Sequence, residues 1–174
     1  MSFFLACPAN ESCDGPLQTT IRYAHTNLIA RDWKRLAQFY ERIFECIPVS
    51  SERDHKGPNF EALTARRNAR ARGQHLLLPG HGENGPTLEI FTYEPGEESS
   101  RPEIARPGFA HIAFEVPDVP KKRAEVLAAG GRDYGQLVTL EIPGAGRLTV
   151  CYMCDPEGNI IELQTWHRDN QPSL

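Results

Sequence analysis

The chain has 174 residues, a formal net charge of −4 and a pI near 5.9, with 40% hydrophobic residues. That is enough for one core or two small associated modules. The acidic balance gives no electrostatic reason to bind nucleic acid or an anionic membrane, so a small molecule is the expected partner. The five cysteines, at 7, 13, 46, 151 and 154, form no disulfide framework and indicate a reducing compartment. No apolar run reaches the roughly 18 residues of a membrane span, and the opening "MSFFLACPA" lacks a basic leader. A cytoplasmic location is expected, with residues 1–19 as a flexible arm.

From residue 21, "IRYAHTNLIARDW" predicts a strand with Ile21, Tyr23, His25 and Asn27 on one face, followed by Asp32 as a helix N-cap. Trp33, Leu36, Ala37, Tyr40, Ile43 and Phe44 then recur at spacings of three and four, the apolar stripe of a helix lying on a sheet. Three more strands follow in "ECIPV", "QHLLLPG" and "PTLEIFTY", the last two separated by the turn "GHGENG". A polar, Arg-rich stretch at about 50–73 interrupts them and reads as a loop insertion.

The pattern then starts again. "GFAHIAFEVPDVP" carries His111 and Asp118, and the His-to-Asp spacing is seven residues in both halves. A helix from about 119 to 129 should stop at Gly130 and Gly131, and "QLVTLEIPG", "RLTVCYMC" and "NIIELQTW" read as strands, with "DPEGN" as the last hairpin turn. Cys151 and Cys154 form a C-x-x-C, but residues an odd number apart on a strand point to opposite faces, which argues against a shared metal. The expected fold is α+β: two βαβββ modules forming a curved mixed sheet around a metal site. Residues 20–97 are the first module, 98–168 the second and 169–174 a tail.

Each module places one His in its first strand and one Glu in its last: His25 with Glu89, and His111 with Glu162. One strand His or Glu alone is ordinarily a hydrogen-bonded or solvated residue. The ligand reading rests on the set repeating in register. If the modules pair about a pseudo-twofold axis, two imidazoles and two carboxylates converge in an N2O2 set suited to one divalent metal ion: Zn, Ni, Co, Mn or Fe(II). His55 and His81 lie in loop-like sequence, His167 is near the tail and His75 has no counterpart in the second half, so these four are set aside.

"HTNLIARD" with "FYERIFE", "TLEIFTY", "GFAHIAFEVPD" and above all "CDPEGNIIEL" make residues 21–166 resemble the vicinal oxygen chelate superfamily, closest to its four-ligand glyoxalase I and methylmalonyl-CoA epimerase-like branch. The resemblance implies a metal-dependent isomerase, epimerase or lyase that removes a proton beside a metal-chelated oxygen. It makes Glu162 the first candidate for the mobile base and Glu89 its mate on the opposite face of the substrate. Strand alternation adds Tyr23, Asn27, Phe91, Ala113, Tyr152 and Gln164 as substrate-facing candidates. Ile29 and Tyr93 stand where glyoxalase I grips glutathione, which points away from a true lactoylglutathione lyase, while Arg66, Arg67, Arg70 and Arg72 offer another anion contact. Two alternatives are kept. An Fe(II) ring-cleaving dioxygenase would use two His and one Glu, leaving Glu89 in a position that oxygen needs, and would call for an acid–base His and Tyr that the sequence does not make evident; a metal-free sequestration protein would lack the ligands. The superfamily's habit of dimerising implies a homodimer, with the site within one chain or across two.

Overall fold

The computed structural model describes residues 20–97 and 103–167. The arm at 1–19 and the tail at 169–174 lie outside them. Ten strands and three helices form two five-stranded mixed sheets of matching topology. In the first, β1 (His25–Ile29) runs parallel to β5 (Thr87–Glu94), followed by antiparallel β4 (Arg70–Leu77) and β2 (Ile47–Pro48), with β3 (Arg53–Lys56) also on β4. In the second, β6 (Ile112–Glu115) runs parallel to β10 (Ile160–His167), followed by antiparallel β9 (Gly146–Cys154) and β7 (Arg132–Asp133), with β8 (Val138–Ile142) on β9. The predicted repeat is therefore real, but its two halves form separate sheets rather than one continuous sheet.

The predicted cap holds and the repeat supplies a second. Asp32 accepts a hydrogen bond from the backbone N–H of Arg35 at 3.1 Å to start α1 (Trp33–Phe44), and Asp118 does the same from Lys121 at 2.9 Å for α3 (Val119–Ala128). Gly130, at φ +91°, takes the chain out of α3 as its spacing predicts. The first strand is shorter than expected: it starts at His25, and exposed Tyr23 lies before it with its hydroxyl against that of Thr26. The 50–73 region is not a structureless loop, because β3 and the short helix α2 (Pro58–Thr64) fill it, and α2 has no equivalent in the second module.

Alternation along the strands decides which side chains meet the core. Leu88 and Ile90 of β5, Leu76 of β4, Ile161 and Leu163 of β10, and Cys151 and Met153 of β9 join the stripe of α1 in one cluster. The two helices lie between the sheets, and Phe44 stacks on Phe114 with ring centroids 4.0 Å apart, an aromatic contact of ~1 kcal/mol beyond its buried area. Cys46, Cys151 and Cys154 are buried thiols, and burial pushes Cys46 up to about 12 and Cys151 up to about 11, which leaves them unreactive.

The "DPEGN" turn does more than reverse the chain. Asp155 Oδ1 accepts the backbone N–H groups of Glu157, Gly158 and Asn159 at 2.8–2.9 Å, and Oδ2 accepts Asn159 Nδ2 at 2.8 Å and the Tyr40 hydroxyl of α1 at 3.1 Å. Glu157 Oε1 accepts the N–H groups of Arg31 and Asp32 at 3.1 Å, and its other oxygen meets the Arg31 guanidinium at 2.9 Å. A turn in the second module thus clamps the entry to α1 in the first.

Candidate functional site

Because Leu88, Ile90, Ile161 and Leu163 face the shared core, Glu89 and Glu162 point away from it, on the outer face of each sheet. The parallel pairing of β1 with β5 sets Asn27 opposite Glu89 and His25 opposite Thr87. His25 Nε2 lies 3.4 Å from Glu89 Oε2, and Asn27 Nδ2 donates to the same oxygen at 3.1 Å. In the second module β6 and β10 repeat this arrangement, with His111 Nε2 3.3 Å from Glu162 Oε2. Each expected His–Glu pair therefore forms, and Ala113 and Gln164 share the face of Glu162.

The four ligands do not gather within one chain. The two pairs sit on opposite sides of the common core, and among the described residues no group of three or more His, Cys, Asp or Glu is set to hold a metal ion. The sequence left open whether the site forms within one chain or across two; within this chain the couples stand as two separate His–Glu pairs. The arrangement follows from packing: α1 lies on β4 and β5, α3 lies on β9 and β10, and the two helices meet, so the sheets stand back to back.

Two residues complete the half-sites. His75, set aside on sequence, stands opposite Glu89 in the β4–β5 register, is 8% exposed and brings Nε2 within 2.6 Å of Glu89 Oε1. That approach is off-axis, so the buried nitrogen makes no well-aligned hydrogen bond, while Nδ1 lies 3.3 Å from the Thr87 hydroxyl. Burial lowers the His75 pKa and favours the neutral imidazole, the carboxylate of Glu89 opposing that shift. A hairpin closed on the 80–85 turn puts position 75 across from 89, so strand arithmetic was the available signal. In the second module Tyr152 holds the same slot opposite Glu162. Burial raises the Tyr152 pKa, and its hydroxyl bonds the Glu162 carboxylate, with its ring 5.1 Å from that of His111.

The insertion extends the first face. Ring centroids run from His25 to His75, Phe91, His55, Phe60 and Tyr93 with successive separations of 5.6–6.0 Å. Gly73 permits the close approach of Phe91, since a Cβ there would come within 2.6 Å of that ring. Phe91 is buried beneath His55, and a cavity of about 320 Å³ opens beyond it against His55, Asn59 and Phe60. Three of the four arginines are engaged by acids: Arg70 grips Asp54 at 2.7 and 2.9 Å, Arg72 pairs with Glu94, and Arg66 meets Glu97 at 2.6 Å. Arg70 holds Asp54 down at about 2.

The chain is thus a mixed-sheet βαβββ pair with a His–Glu couple on the outer face of each sheet. The chain belongs to the Glyoxalase/Bleomycin resistance protein/Dioxygenase superfamily, which it matches over residues 24–152. No curated protein matches it. Among solved structures, it is similar to a glyoxalase family protein from Bacillus cereus at 14% identity and a TM-score of 0.72, covering 87% of this chain and 98% of that one. It is also similar to a glyoxalase/bleomycin resistance protein/dioxygenase domain from Frankia at 18% identity and 0.56, covering 86% and 100%. A genomically encoded fosfomycin resistance protein from Listeria monocytogenes follows at 16% and 0.54, covering 86% and 94%. At these identities the likeness is one of fold. Among the described residues no helix is long and apolar enough to cross a membrane.

Proposed function

We propose that this protein is a metal-dependent isomerase, epimerase or lyase of its superfamily, in the four-ligand branch, acting on a small molecule with a chelating oxygen beside an acidic C–H. The observation that carries this reading is the same His–Glu couple, at 3.4 and 3.3 Å, in both modules, with His25 opening β1 and His111 immediately before β6. The donor set fits a divalent ion: neutral imidazoles and carboxylates are its usual N and O ligands, and burial favours the neutral form of the neighbouring His75. His25, Glu89, His111 and Glu162 would hold it. A bound divalent ion supplies Lewis-acid stabilisation for negative charge on a substrate oxygen. Glu162 takes the proton from the neighbouring carbon and returns it, while the Tyr152 hydroxyl steadies its carboxylate. Glu89 serves the opposite face.

The complete site is proposed to form between two copies, the first module of one against the second module of the other, giving two sites per dimer. Ile29, Val138 and Leu140, apolar and exposed on these same two faces, support a partner that covers them. A complementation experiment tests this. His25→Ala and Glu162→Gln chains should each be inactive in proton exchange from solvent deuterium, and the mixed dimer should regain one intact site. No recovery on mixing would place the site within single chains.

One observation favours a second reading. His75 and Tyr152 supply beside the two glutamates a His and a Tyr of the kind the ring-cleaving dioxygenase alternative needs, which the sequence did not make evident. Oxygen uptake with a catechol, in Fe(II)-loaded protein without proton exchange, would select it.

A further inference from the structure

The two carboxylates are held differently. Glu89 is met on both oxygens from two neighbouring strands: Oε2 accepts from Asn27 Nδ2 and lies 3.4 Å from His25 Nε2 of β1, and Oε1 lies 2.6 Å from His75 Nε2 of β4, in close contact without an aligned hydrogen bond. His75 is itself fixed, buried between strands with Nδ1 against the Thr87 hydroxyl, while its edge meets the Phe91 ring at 6.0 Å. Glu162 is held by the His111 imidazole and the Tyr152 hydroxyl, the latter at the end of a long, partly exposed side chain.

We infer that His75 is a positioning residue that pins Glu89, through the chain Thr87–His75–Glu89, as the static carboxylate of the pair and so leaves Glu162 as the one that moves. The inference rests on the metal-site reading above. A group that orients a ligand sets how much freedom must be lost when the metal binds, so its removal weakens affinity without altering the ligands themselves. The second module, with Tyr152 in the same slot, shows that the fold does not require histidine there.

The test is Co2+ titration of the full-length protein, read by its visible spectrum, with thermal stability measured beside it. His75→Leu should weaken Co2+ binding about 10- to 100-fold with the fold retained, and His75→Gln, whose amide can reach Glu89, should recover most of the affinity with the wild-type spectrum. Thr87→Val should weaken binding in the same direction by a smaller factor and stands in if the Leu variant does not fold. Unchanged affinity in His75→Leu or, failing that, in Thr87→Val overturns the assignment. So does a changed spectrum in His75→Gln, which would make His75 a ligand. Wild-type protein that binds no Co2+ overturns both this inference and the metal-site reading, whereas intact binding in His75→Leu overturns this inference alone.

Discussion

The two half-sites share a backbone and differ one strand inward. In both modules a parallel pair of strands sets a His beside a Glu at nearly the same distance, yet across the antiparallel partner strand the first module has buried His75 and the second has Tyr152. The first face also carries a run of rings and the helix α2, while the second carries exposed Val138 and Leu140. A duplicated scaffold thus keeps its donor geometry, which strand register enforces, and varies what surrounds each donor, which register leaves free.

The largest effect should come from separating the two glutamates. Glu162→Gln should lower proton exchange by roughly 10²–10⁴-fold with metal still bound, while Glu89→Gln should act mainly on metal affinity and retain measurable exchange at saturating metal. Equal loss of exchange in both would erase the distinction between static and mobile carboxylates.

Next in size is the clamp that keeps the halves back to back. Asp155→Ala removes the acceptor for five donors and strands the buried Tyr40 hydroxyl, so denaturant unfolding should show a loss of ~3 kcal/mol. A loss below ~1 kcal/mol would mean that helix packing alone joins the modules.

The smallest effect concerns the insertion that only the first module has. Arg70 lowers the Asp54 pKa from 3.8 to about 2, so folded protein binds this proton less readily than unfolded chain. The contribution of the pair is complete above pH ~4 and is lost as pH falls through ~2. Carboxyl NMR titration should give an Asp54 midpoint near 2, moving up toward 3.8 in Arg70→Gln, and a wild-type midpoint near 3.8 would remove the pair from the account.

Much of this was legible in the chain because it is local. The His-to-Asp spacing located two strands and two capped helices, and the apolar stripe of α1 and the Gly130 stop were read correctly. Each His–Glu couple was legible too, since parallel pairing of the first and last strands of a module brings them together. His75 was missed because its significance depends on hairpin register, and the role of the Arg group stayed open because the acids that pair with Arg66, Arg70 and Arg72, namely Glu97, Asp54 and Glu94, lie on other segments.

By itself the sequence determined the repeat, the capped helices α1 and α3 and the two His–Glu couples, since periodicity, capping and alternation act over a few residues. Only the tertiary structure decided that the modules pack through their helices, with the "DPEGN" turn as clamp and the donor faces turned outward. The physical reason is that burying one helical stripe against another is a non-directional gain that local pattern does not orient. Which face of each sheet is left for chemistry emerges only once that core has closed.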